Sequence, residues 1–398
     1  MCSRTRGFRF PACCLLVALV ACFFTVSTTH ACNIPVFRYA LEKWQAAKHE
    51  ILVFNDGKLT EGQQRALDYL QAARELGGSS RKQIKGAANL MVKVVDLDKK
   101  VTPKMRQLYE ALKVSGPYMI ARFPTDFQAR NRFPFPYWSG PLTLENAKAL
   151  ISSPARKQIT KEIFQGTSTV WVFLDSGNKA EDDVRYKAFT GYLTKLEKQL
   201  KLPELTDDPD DKLNSDLELK LNFSVVRVSR ETPAERVFVK MLLSTESDLC
   251  EYNEPMVFPV FAKGRALYAL VGKGITWENV YKAGAYLTGP CTCKVKEQNP
   301  GVDLLFQAPW DKIIGTRLVK DKDLPPLTGV GGFVPKKQSP KKQSQSEPRK
   351  DDGFEQQSRL EFQQQPWLRT WDGLRTDSQD HSSGPNLVAP TDQTGTRP

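Results

Sequence analysis

Histidine is scarce in this chain, with three in 398 residues at His30, His49 and His381. A Ser-His-Asp hydrolase needs an imidazole beside its nucleophile. Neither His49, at the edge of an apolar run, nor His381, in a polar stretch, stands near a nucleophile-elbow pattern. A phosphate loop is lacking too, because the GVGG of Gly329 to Gly332 has no Lys-Ser/Thr behind it and no strand ahead of it. The acidic run DDPDD, Asp207 to Asp211, has neither the glycine nor the terminal glutamate of a calcium loop and reads as a solvated insertion. A spanning helix needs roughly 20 apolar residues, and the run from Pro11 to Val26 is short for that. The formal net charge of +12 comes from Lys and Arg mixed with acids along amphipathic stretches. No finger, recognition-helix or RNA-binding signature accompanies them, so nucleic acid is not an expected partner. No cofactor is implied either.

What is present begins with the layout of a secretory signal peptide. Arg4, Arg6 and Arg9 precede the apolar run, and Thr29-His30-Ala31 offers a small-residue cleavage site. Residues 1–31 are therefore expected to be removed and the protein exported, to the periplasm or the cell envelope. An uncleaved segment, or lipidation of Cys32, would instead anchor it to a membrane. Thr29, however, stands where a lipobox prefers an aliphatic residue.

The most informative feature is an internal repeat, which takes precedence over single motifs. PLTLENAKALISSP, from Pro141, and GITWENVYKAGAYLTGP, from Gly274, share a threonine, an apolar residue, Glu-Asn, a helical pattern and a proline-containing stop. Thr143 and Thr276 are the predicted N-caps, where the hydroxyl takes an otherwise unpaired backbone N–H. The same order of elements precedes each helix. HEILVFNDG, NLMVKVVDLD and GPYMIARFP in the first half answer to STVWVFLDSG, LNFSVVRVSR and EPMVFPVFAKGRALYALVG in the second. Each copy reads helix, strand, helix, strand, helix, strand, strand, helix. The continuous apolar runs ILVF, VWVFL and VVRV suit parallel strands covered on both faces, and the last stretch suits an antiparallel hairpin turning at Ala262 to Arg265.

A parallel β-α-β half followed by a hairpin and a closing helix resembles the thioredoxin fold. The expected class is α/β: two tandem thioredoxin-like domains, each a mixed sheet flanked by helices, over residues 32–152 and 153–320. The resemblance implies a cis-proline before the third core strand of each copy, at Pro117 and Pro255. It departs from the redox-active members at the turn after the first strand, where a Cys-x-x-Cys pair would sit at a helix N-terminus that lowers the thiol pKa. Here the turns read Asp56-Gly57-Lys58-Leu59 and Asp175-Ser176-Gly177-Asn178. CNIPVFRYALEKW, GRALYALVGKGI and LTGPCTCKVKEQNPG also resemble a group of exported bacterial proteins, a likeness that names no catalyst.

Removal of residues 1–31 leaves four of the eight cysteines, Cys32, Cys250, Cys291 and Cys293. An even set in an oxidising compartment favours disulfides, with three complete connectivities open. The expectation is that Cys291 or Cys293 bonds to Cys250 or Cys32 as a structural staple. A soft-metal clip would want further thiolates or imidazoles, and a Cys-x-Cys redox couple would be strained and easily reduced. Cys32, just ahead of a helix, could also gain nucleophilicity from the helix N-terminus.

Residues 321–398 form a linker and tail rich in Lys, Gln, Ser and Pro, a composition expected to be disordered. Within it, Trp367, Leu368, Trp371 and Leu374 recur at helical spacing behind Pro366. They are candidate anchors for docking in the groove of a protein partner.

Overall fold

The computed structural model describes residues 32–74, 86–131 and 136–315. The candidate docking residues Trp367, Leu368, Trp371 and Leu374, the expected signal segment and the GVGG stretch lie outside them. The first half runs α1 (Val36–Lys43), β1 (His49–Asn55), α2 (Glu61–Arg74), β2 (Ala87–Ala88), β3 (Leu90–Asp96), α3 (Pro103–Leu112), β4 (Tyr118–Arg122), α4 (Thr125–Asn131), β5 (Pro136–Pro141) and α5 (Leu144–Ile151). The second runs α6 (Pro154–Phe164), β6 (Thr169–Leu174), α7 (Lys179–Gln199), β7 (Phe223–Val228), α8 (Arg236–Leu243), β8 (Met256–Phe261), β9 (Arg265–Ala266), β10 (Leu270–Val271) and α9 (Trp277–Thr288). It closes with α10 (Cys293–Gln298), β11 (Val302–Asp303), β12 (Gln307–Ala308) and α11 (Trp310–Ile314). No helix among the described residues is long and apolar enough to cross a membrane.

The chain folds as mixed α/β, with two main sheets flanked by helices. In the first sheet the order is β3-β1-β4-β5. β1 is parallel to β3, with Ile51 opposite Val92, and antiparallel to β4, with Leu52 opposite Ile120. In the second sheet the order is β11-β9-β8-β6-β7, with β10 also on β8. β6 is parallel to β7, with Trp171 opposite Val225, and antiparallel to β8. The VWVFL and VVRV runs thus lie side by side, and the two sheets repeat one order. Every residue of β6 and β8 is buried, as expected for apolar runs covered on both faces.

The repeated Thr-x-Glu-Asn motif has a local cause. Thr143 Oγ1 accepts from Asn146 N at 3.2 Å, and Thr276 Oγ1 accepts from Asn279 N at 3.3 Å. Each asparagine then donates its own amide backwards, Asn146 Nδ2 to Pro141 O at 3.0 Å and Asn279 Nδ2 to Gly274 O at 2.9 Å. Both carbonyls lie two residues before the cap. The motif therefore fixes the bend that carries each sheet into its closing helix.

The halves interlock, which the proposed division at residue 152 did not anticipate. Helix α1 opens the first repeat in sequence but packs on α9 and β8 of the second. Val36 N donates to Gly289 O and Cys291 N to Ile34 O, both at 2.9 Å, around a Pro35–Pro290 bridge. In return, residues 299–308 cross from the second half as a strap. β11 adds to β9, and β12 pairs with β2 beside the first sheet. The strap runs so close over the β8–β9 turn that a Cβ on Gly264, at φ 95°, would lie 2.4 Å from Phe306 Cδ2. One hydrophobic core consequently runs through both halves, and a second, small one lies under α3 around Leu52, Phe54, Val95 and Ile120. Amphipathic spacing shows that α1 must bury a face, but it does not say against which sheet.

Candidate functional site

The two strand-to-helix turns at the carboxyl ends of β1 and β6 are where an α/β sheet of this kind presents chemistry. Carboxylates hold both. After β6, the buried Asp182 accepts from Ser176 N at 2.8 Å, Ser176 Oγ at 2.7 Å and Gly177 N at 3.2 Å. Gly177 turns there at φ 100°, a conformation that glycine adopts without a Cβ penalty. Arg230 ties this turn to the loop ahead of β8, donating to Asp175 O at 2.9 Å, Tyr252 O at 3.1 Å and Glu254 O at 3.0 Å. Arg227 adds a two-point grip on the Asp175 carboxylate at 2.8 and 3.1 Å. Burial raises the Asp175 pKa, opposed by that guanidinium. After β1, Asp56 Oδ2 accepts from Gly116 N at 2.9 Å and from the Tyr109 hydroxyl at 3.2 Å, closing the turn onto the loop before β4.

Pro117 and Pro255 directly precede β4 and β8, at the ends of those same loops. Their peptide bonds are trans, for no cis bond occurs among the described residues. The expectation of cis-prolines is corrected accordingly. The loops are instead held by Asp56 on the amide of Gly116 and by Arg230 on the carbonyl of Glu254, contacts that position the backbone without an isomer change.

The cysteines lie away from both turns. Cys32 is buried against the DDPDD insertion, its Sγ 3.4 Å from Asp210 O, while Asn33 N donates to Asp211 Oδ1 at 2.6 Å. Burial raises the Cys32 thiol pKa, outweighing the Ile34 amide and Lys296, which lower it. Cys32 is thus the reverse of an activated nucleophile, and a lipid thioether would require its buried sulfur to reach the surface. The insertion is correspondingly less solvated than its composition suggests: Asp211 is buried and also accepts from Thr206 N and Oγ1 at 3.0 and 2.7 Å. Cys291 is buried beside Ile34, whereas Cys293, the first residue of α10, is exposed. Cys250 sits in the separate turn Leu249–Glu251, its thiol pKa also raised by burial. The Pro35–Pro290 bridge brings the segment of Cys32 alongside that of Cys291 and Cys293. No disulfide joins any of the four described cysteines to another in this structure. Hydrogen bonds through Asn33, Ile34 and Val36 tie that corner.

Sequence reasoning missed a buried polar cluster at the junction. Arg265 donates Nε and Nη2 to Asp303, both at 2.9 Å, and its guanidinium lies 4.8 Å from the Trp44 ring centroid. Arg156 donates to Leu150 O at 2.8 Å, Ala149 O at 2.6 Å and Leu305 O at 3.2 Å. Burial draws its pKa down to about 10, so it remains a cation at neutral pH. In sequence each looks like one more surface charge. The one signal was the apolar run ALYALVG that directly follows Arg265. No group of three or more His, Cys, Asp or Glu side chains that could hold a metal occurs among the described residues. No family model and no curated protein matches the chain.

Proposed function

We propose that this chain is an exported, redox-inactive binding or scaffolding protein that uses two thioredoxin-like domains for recognition. The strand order supports the thioredoxin-like reading: in both sheets a parallel β-α-β pair is followed by an antiparallel strand on the far side of the first. The observation that carries the functional reading is the occupation of both turns by carboxylates. Asp182 consumes the Ser176 and Gly177 backbone N–H groups that would otherwise stabilise a thiolate or a substrate there, and Asp56 ties its turn to the Gly116 N–H of the loop before β4. A fold alone does not decide between catalysis and binding; the side chains at these turns favour binding.

The rival is a thiol-disulfide oxidoreductase or soft-metal protein acting through Cys291-x-Cys293, favoured by the exposure of Cys293. Equilibration of the full chain in glutathione buffers, followed by thiol trapping and mass spectrometry, separates the readings. A binding protein shows no two-electron transition involving Cys293 between about −320 and −120 mV, the span of cellular thiol couples. A transition in that span favours the oxidoreductase. Stoichiometric copper or zinc in protein purified without added metal favours the metal-handling reading.

A further inference from the structure

His49 opens β1 and is completely buried at the junction of the two halves. Its Nε2 lies 2.9 Å from the backbone oxygen of Asp303 on the strap. A carbonyl only accepts, so Nε2 carries the proton and Nδ1 keeps its lone pair. That Nδ1 is buried without a hydrogen-bond partner. The rings of Phe123 and Tyr137 face the imidazole, with centroids 5.4 and 5.5 Å away. The charged groups around it are Arg156 on α6 and Asp303 on β11. The Asp303 carboxylate is already engaged by Arg265 and by Ala47 N at 2.9 Å, and Glu235, which interacts with Arg156, accepts from Ala155 N at 2.7 Å. A second proton on the ring would therefore be a buried cation with no acceptor, beside another cation.

We propose that His49 makes the strap an acid-sensitive latch: protonation of its imidazole drives residues 299–308 off the first sheet. Release would break the Asp303 bond to Ala47 N, the β12–β2 pairing and three bonds of Asn89, from Nδ2 to Leu304 O at 3.1 Å, from its backbone N to Phe306 O at 3.3 Å and from Phe306 N to Oδ1 at 2.9 Å. The direction follows from linkage. Burial lowers the His49 pKa to about 4, with Arg156 adding to the fall and Asp303 opposing it. The closed state thus binds fewer protons than the open state between about pH 6.5 and pH 4. Closure is fully stable above that window and weakens as pH falls through it.

Hydrogen exchange of the full chain between pH 7 and pH 4.5 tests this. After correction for intrinsic rates, amides of residues 302–308 and 86–90 should open about tenfold more per unit below pH 6. His49→Gln, whose amide can still donate to Asp303 O but does not titrate, should remove that slope. An equal slope in the variant overturns the proposal. Should that variant fail to fold, a chain carrying His30→Gln and His381→Gln retains one imidazole to follow by NMR. Titration of that ring near pH 6.5 with the strap amides still protected overturns the proposal as well, whereas titration coupled to loss of their protection supports it.

Discussion

At the scale of single residues, the junction rests on groups that read as ordinary surface charge in the sequence. Arg265 and Asp303 are both buried, with side chains 3% and 4% exposed. Removing one member of such a pair strands the other charge away from water, so Arg265→Ala is expected to cost roughly 3–5 kcal/mol in urea unfolding. Arg265→Ala combined with Asp303→Ala should cost less than the two separate losses added. A second residue-scale prediction concerns the thiols. Iodoacetamide should modify the exposed Cys293 in native protein at neutral pH, and the buried Cys32 only once the chain is unfolded, as read by mass spectrometry of the labelled peptides. An oxidising compartment would favour oxidised cysteines, but pairing depends on which sulfurs the fold brings together. In sequence, nothing marks Cys32 as the neighbour of the segment holding Cys291 rather than of Cys250.

At the scale of elements, the legible features were those fixed by neighbours in the chain. The caps at Thr143 and Thr276 depend on an asparagine three residues on, and the repeat preserves both partners. Thr143→Ala and Thr276→Ala should each cost about 1 kcal/mol, measured by thermal or urea unfolding. Asp182→Ala should cost roughly 1–3 kcal/mol, because it leaves the donors of Ser176 and Gly177 without their acceptor, and should speed hydrogen exchange at residues 176–178. In the sequence Asp182 is the middle one of three consecutive acids, Glu181 to Asp183, and nothing there marks it as the buried one. The resemblance placed Pro117 and Pro255 correctly ahead of their strands but implied the cis isomer, whereas both are trans, since the isomer depends on contacts made from elsewhere in the fold. The sheet that α1 covers was illegible for the same reason.

At the scale of the whole molecule, α1 and the strap cross between halves in opposite directions, and one core runs through both. The halves should consequently unfold together. Calorimetry is expected to give a single transition whose calorimetric and van't Hoff enthalpies agree, and limited proteolysis to cut beyond Pro325 before it cuts between Asp98 and Pro117. Function is least legible at this scale, because a fold of this kind serves catalysis and recognition alike. The difference lies in a few atoms at the turns after β1 and β6. The most direct test is a disulfide-exchange assay, in which the full chain is incubated with a disulfide-bonded peptide and reduced glutathione. If Asp56 and Asp182 have closed those turns to redox chemistry, the exchange rate equals that of glutathione alone and is unchanged by Cys293→Ser. Catalytic turnover that Cys293→Ser abolishes would contradict a binding role and make the protein an oxidoreductase.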